Sequence, residues 1–139
     1  MSIYFDQNAW PVIKDNYTRW WQGELERPLI HLTVTGSESE RLPPRYPLEL
    51  YLSYFDLNIP ALEVVDAIDY SLSQQRFLGD AFPCTWLNFG PGVLATAVGD
   101  AELFNGTDTV WYKPPAIKEI SELTFKFDPK EIWYQRIES

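Results

Sequence analysis

At 139 residues and 16.2 kDa the chain has the size of one ordinary domain, read here as a single domain over residues 1–139. With 45% apolar residues, 6 Trp, 8 Tyr and 8 Phe, it has ample surface to bury, which excludes a disordered chain. A net charge of −9 repels phosphate backbones and anionic lipid, so neither nucleic acid nor a membrane surface is an expected partner.

Cys84 is the only cysteine, so no internal disulfide can form and no cysteine-rich metal site exists. The start, Met1 to Asn8, lacks a basic end followed by an apolar run, so no signal peptide is expected. No apolar run approaches the length of a membrane span, and the expected home is the cytoplasm.

Asn8 is placed to cap a first helix, with Pro11 in its first turn, where a missing N–H is tolerated. Trp10, Ile13, Tyr17 and Trp20/Trp21 recur at helical spacing, and Gly23 ends the run. Such an aromatic stripe is either a helix face packed on a core or a stacking platform. Leu29 to Thr35 then reads as a strand whose alternation sends Ile30, Leu32 and Val34 one way and Leu29, His31, Thr33 and Thr35 the other. His31 is the one side chain whose unperturbed titration falls near neutrality; it is either a ligand group or an imidazole bonded to a neighbour.

Gly36 to Asn58 is a long connection, expected to be functional or mobile. Its Arg41, Arg45 and Tyr46 either reach an anionic ligand over the strand end or stay solvated, and Leu48 to Phe55 adds a short helix. Asn58 and Pro60 open a second main helix in which Leu62, Val65, Ile68 and Leu72 share a face. Glu63, Asp66 and Asp69 line much of the rest, as a wet face or as paired carboxylates or metal ligands. Gly79 is expected to stop this helix.

The stretch from Pro83 to Phe89 reads as an apolar strand, Gly90-Pro91-Gly92 as a tight turn, and Val93 to Val98 as a small-residue helix. The glycines permit a sharp bend and a close backbone approach to a ligand, and equally suit a plain turn. Asn105-Gly106-Thr107 matches a glycosylation sequon but reads as an ordinary turn. Thr107 to Tyr112 alternates as a strand, as does Glu122 to Phe127 with Leu123, Phe125 and Phe127 on one face. Asp128-Pro129-Lys130-Glu131 has the form of a capping box before a last helix carrying Ile132, Trp133 and Ile137.

Three stretches together, Trp20 to Ile30, Leu78-Gly79-Asp80-Ala81-Phe82-Pro83 with Asn88 to Ala95, and Thr109-Val110-Trp111-Tyr112 with Phe127-Asp128-Pro129, resemble uncharacterised bacterial proteins of the uroporphyrinogen decarboxylase superfamily. The resemblance spans residues 20 to 133. It implies an α/β fold, the N-terminal part of a (β/α)8 TIM barrel with parallel strands in βα units. A barrel needs roughly 250 residues, so the chain is expected to be a truncated member, a fragment or a subunit completed by another chain. The superfamily includes porphyrinogen decarboxylases and zinc-dependent corrinoid methyltransferases.

The decarboxylases' arginine-rich loop after the first strand finds no arginines at Thr35 to Glu40, with Arg41 and Arg45 as the available substitutes, and their aspartate at the next strand end falls near Asn88. Decarboxylation is therefore the least expected activity. The resemblance favours a lyase-like or methyltransferase-like relative, inactive alone, with corrinoid or zinc only in a complete relative and no cofactor within this chain. On this reading His31, Thr33, Thr35 and Asn88 line the ligand side, and Gly90 and Gly92 shape the cavity for a small molecule. A partial barrel leaves an edge and strand faces uncovered, so self-association or a complementary chain is expected. The competing reading is a small non-enzymatic α+β module that binds a ligand or another protein.

Overall fold

The computed structural model describes residues 3–116, 119–122 and 124–139. They hold four α-helices, α1 (Trp10–Gln22), α2 (Ala61–Ser73), α3 (Leu94–Gly99) and α4 (Ile132–Glu138), and four short strands, β1 (His31–Val34), β2 (Arg76–Gly79), β3 (Glu102–Asn105) and β4 (Val110–Lys113). The chain divides into two compact units, Met1–Leu48 with Val65–Thr85 and Glu49–Val64 with Trp86–Ser139. No helix among the described residues is long and apolar enough to cross a membrane.

The parallel barrel expected from the resemblance is corrected by the sheet topology. There are two separate two-stranded sheets among the described residues, β1 with β2 and β3 with β4, and both are antiparallel. The strand expected over Pro83 to Phe89, and its parallel pairing with the first strand, do not form. The cause lies at the far end of β1. The Ser37 N–H donates to the Gln74 carbonyl at 3.0 Å, so the chain leaving α2 is fastened beside the chain leaving β1. From there β2 can only run back along β1, with Leu32 opposite Leu78 and Thr33 opposite Phe77.

In the first unit, α1 follows the aromatic stripe. Ile13 is buried, Pro11 sits in the first turn, and Gly23 closes the helix in the left-handed region at φ 74°. The start differs from expectation: the Asp6 carboxylate, rather than Asn8, caps a short turn by accepting from the Asn8 N–H at 2.9 Å. Gly79 ends a strand instead of a helix. Its φ is 69°, and a Cβ there would stand 2.5 Å from the Ile30 carbonyl oxygen, so only glycine fits. Ile13, Ala67, Ile68 and Ala81 are buried here, together with Asp80 and Ser73.

The long connection is held down over its first part. Ser39 and Ser73 hydroxyls meet at 2.6 Å, and the Arg41 guanidinium reaches both Asp66 and Asp69 on α2 while lying 6.0 Å over the Tyr70 ring.

The second unit is built on α3, α4 and the β3–β4 hairpin. Leu52, Phe55, Val64, Phe89, Ala97 and Val110 are its buried apolar residues. The short helix expected near Leu48 to Phe55 is a single 3-10 turn, Leu52–Tyr54. β3 went unanticipated, while Asn105 and Gly106 do begin the hairpin turn, closed by Gly106 N–H to the Thr109 carbonyl at 2.8 Å. The main-chain N–H groups of Lys126 and Asp128 donate to the Val98 and Ala97 carbonyls at the end of α3. Glu131, rather than Asp128, caps α4, its carboxylate accepting from Tyr134 N–H and from the Thr96 hydroxyl. The strand expected over Glu122 to Phe127 is absent from residues 122 and 124–127; Leu123, like Met1 and Ser2 of the leader reading, lies outside the described residues.

Candidate functional site

The best-formed site lies in the first unit and is organised by a buried carboxylate. Asp80 is 2% exposed. Its Oδ2 accepts from Arg27 Nη1 at 2.6 Å and from the Ile30 N–H at 2.9 Å; its Oδ1 accepts from Arg27 Nη2 at 2.8 Å and from Asn16 Nδ2 at 2.9 Å. A charge this buried persists only when fully paired, and here every bond is to a donor. The Arg27 guanidinium therefore holds the carboxyl far below the usual carboxylate range, helped by the Ile30 amide and Asn16 and opposed by burial. Three pieces of chain are thereby locked together: α1 through Asn16, the approach to β1 through Arg27 and Ile30, and the segment that leaves β2.

Two residues further on, that segment delivers Phe82 into an aromatic cluster. Trp10 and Tyr17, one face of α1, meet the Phe82 ring edge to face at 5.1 and 5.7 Å. The His31 ring lies tilted to the Phe82 ring at 6.2 Å, and its Nδ1 is 3.5 Å from the Tyr17 hydroxyl. Each such aromatic pair adds about 1 kcal/mol beyond the area it buries. Burial raises the Tyr17 phenol above its ordinary value, with Asp80 and then Cys84 adding to the effect.

Beside the cluster opens a cleft of about 380 Å³ lined by Phe5, Gln7, Trp10, Phe82 and Pro83. Phe5 is braced from behind by Phe77 of β2, edge to face at 6.5 Å. The cleft thus has aromatic walls, one amide and no charged group among its described lining residues. Its volume falls in the range of small-molecule sites, about 300–1,000 Å³.

The anticipated ligand residues fall in two places. His31 and Thr33 belong to β1 and Thr35 follows it; His31 touches the aromatic cluster, whereas Thr33 and Thr35 do not line the cleft. Asn88, Gly90 and Gly92 belong to the other unit, so the two sets do not make one site within either. There the Asn88 side-chain oxygen accepts from Gly90 N–H at 3.0 Å, and the Asn88 main-chain carbonyl accepts from Leu52 N–H at 2.7 Å. Gly90 is left-handed at φ 92°, and a Cβ on Gly92 would lie 2.8 Å from the Tyr112 ring. The Tyr112 hydroxyl donates to the Phe89 carbonyl at 2.5 Å. What approaches these glycines closely is the chain's own β4, Val110 and the Tyr112 hydroxyl at Gly90 and the Tyr112 ring at Gly92.

Arg41, considered for an anionic ligand, is engaged by Asp66 and Asp69, and Arg45 lies 5.3 Å over its neighbour Tyr46. The same pairing accounts for two of the three α2 carboxylates weighed as metal ligands. Among the described residues no three His, Cys, Asp or Glu side chains gather as a metal site would require.

Sequence reasoning passed over Phe5, Gln7 and Phe82 as site residues and gave Asp80 no role. One signal was present: Asp80 is a lone acid between Phe77-Leu78-Gly79 and Ala81-Phe82, and a carboxylate buried in such a run needs a partner. Fold and site together define a small α+β chain with an aromatic cleft near a buried carboxylate held by an arginine. No protein-family model matches the chain, and no curated protein or solved structure matches it either.

Proposed function

We propose that this chain is a small ligand-binding module whose cleft takes a flat, uncharged, largely apolar molecule. The observation that carries the reading is the wall of Phe5, Trp10 and Phe82, with Phe82 held in place from Asp80. Aromatic side chains offer large apolar area at small entropic cost, which is what the walls of a small-molecule site need. The absence of a charged group among the described lining residues favours a neutral ligand, since an ionised one would lose its hydration without gaining a partner. The reading rests on the cleft. The decarboxylase or methyl-transfer chemistry implied by the resemblance is not carried into it, because antiparallel ribbons stand where that chemistry needs a barrel.

Calorimetric titration with indole, a neutral planar probe, and with indole-3-acetate, its anionic counterpart, tests the proposal. Saturable one-to-one binding of indole, weaker for the acetate and lost in Trp10→Ala, is the expected result. Equal binding of both probes, or indole binding undiminished in Trp10→Ala, would contradict it.

A further inference from the structure

We infer that the open face of the β1–β2 ribbon is where two copies of this chain meet. An antiparallel ribbon with one solvated face normally turns apolar residues inward and polar residues outward. Here the face opposite Thr33 and Phe77 carries Leu32 paired with Leu78 and Val34 paired with Arg76, and Ile30 continues the alternation one step before β1. Ile30, Leu32, Val34 and Leu78 are each about half exposed, at 55%, 51%, 45% and 48%. Tyr4 extends the patch: it bridges to Arg76, whose guanidinium sits 4.7 Å over its ring, and it is largely exposed.

Area and charge both point to a second copy as the occupant. Half of five such side chains is roughly 500 Å² of contiguous surface, the size at which a patch marks an interaction site. Two of these faces brought together bury about 1,000 Å², the lower bound for a specific pair.

With a net charge of −9, two copies repel wherever their carboxylates face each other. The run from Pro28 to Ser37 carries no Asp, Glu, Lys or Arg, and Arg76 is the one charged residue of the described face. A two-fold axis crossing the strands at Leu32 packs the leucines together and sends the two Arg76 side chains to opposite ends. Such an isologous contact closes at the dimer.

Sedimentation velocity on the full chain from micromolar to millimolar concentration tests this inference. The wild type should pass from monomer to dimer. Leu32→Glu, which places a carboxylate at the centre of the face, should weaken association by roughly tenfold or more with unchanged far-UV circular dichroism. Trp21→Glu, at a more exposed site on α1, should dimerise like wild type. Should Leu32→Glu fail to fold, amide NMR of the wild-type chain decides: concentration-dependent broadening confined to residues 30–34, 76–78 and Tyr4 supports the interface. A monomer throughout, species larger than a dimer, broadening centred elsewhere, or equal loss of association in Trp21→Glu would overturn it.

Discussion

Arg27 grips both carboxylate oxygens of Asp80, at 2.6 and 2.8 Å, although 53 residues separate them in sequence. The arginine is half open to solvent while the aspartate is sealed, so the two partners are unequal. Replacing Asp80 by Ala strands the Ile30 N–H and the Asn16 amide and should cost about 3 kcal/mol in urea unfolding. Arg27→Met leaves the sealed carboxylate with two neutral donors only and should cost at least as much, about 3–4 kcal/mol. A loss below about 0.5 kcal/mol in Asp80→Ala would show that the pair does not organise the unit.

The same pair sets an acid limit. Because the folded state holds the Asp80 carboxyl below its unfolded value, its contribution is fully present above the ordinary aspartate range, near about pH 4. It is lost as pH falls through the lower folded value. Thermal unfolding of the wild type between neutrality and strong acid should therefore lose more stability below about pH 4 than Asp80→Asn does. Parallel curves for the two proteins would contradict this assignment.

Some of this architecture was readable in advance, and the reasons for the rest are physical. Trp10, Ile13 and Tyr17 recur at helical spacing and Gly23 follows them, so α1 could be recognised from local chemistry alone. β1 was legible from alternation, and the side carrying Ile30, Leu32 and Val34 is half exposed. β2 was not legible, because Phe77-Leu78 is too short an apolar run to separate from the helix before it. Gly79 then served equally well as a helix stop and as the left-handed close of a strand. Gly90-Pro91-Gly92 was legible as a turn with close backbone approach, whereas the strand expected to hold Asn88 does not form. A sequence does not say whether a ligand or the chain's own Val110 and Tyr112 makes that approach. Long-range pairing, Arg27 with Asp80 or Ser37 with Gln74, determines the topology and leaves no local periodicity.

The Gly92–Tyr112 contact yields a direct packing test. In Gly92→Ala the new methyl meets the Tyr112 ring, which is anchored at its hydroxyl, so the ring must shift. The expected cost is about 2 kcal/mol by urea unfolding, and much of it should vanish in a Tyr112→Ala background, where space opens. Additive losses in the double variant would place the strain elsewhere.

Arg41 supplies a test of the loop over α2. Arg41→Gln removes the guanidinium that Asp66 and Asp69 share, yet the site is partly solvated, so the global loss should stay near about 1 kcal/mol. Local opening should increase more: amide exchange at residues 38–42 is expected to accelerate roughly fivefold. Unchanged exchange there would mean that the Ser39–Ser73 contact alone holds the loop.

The aromatic cleft is the central claim, and an indole titration followed by two-dimensional amide and side-chain NMR tests it most directly. Saturable shifts should concentrate on Phe5, Gln7, the Trp10 indole N–H, Phe82 and Cys84 beside Pro83, leaving residues 88–92 unmoved. Shifts centred on Asn88, Gly90 and Gly92, or no saturable shift up to the solubility limit of indole, would contradict the account.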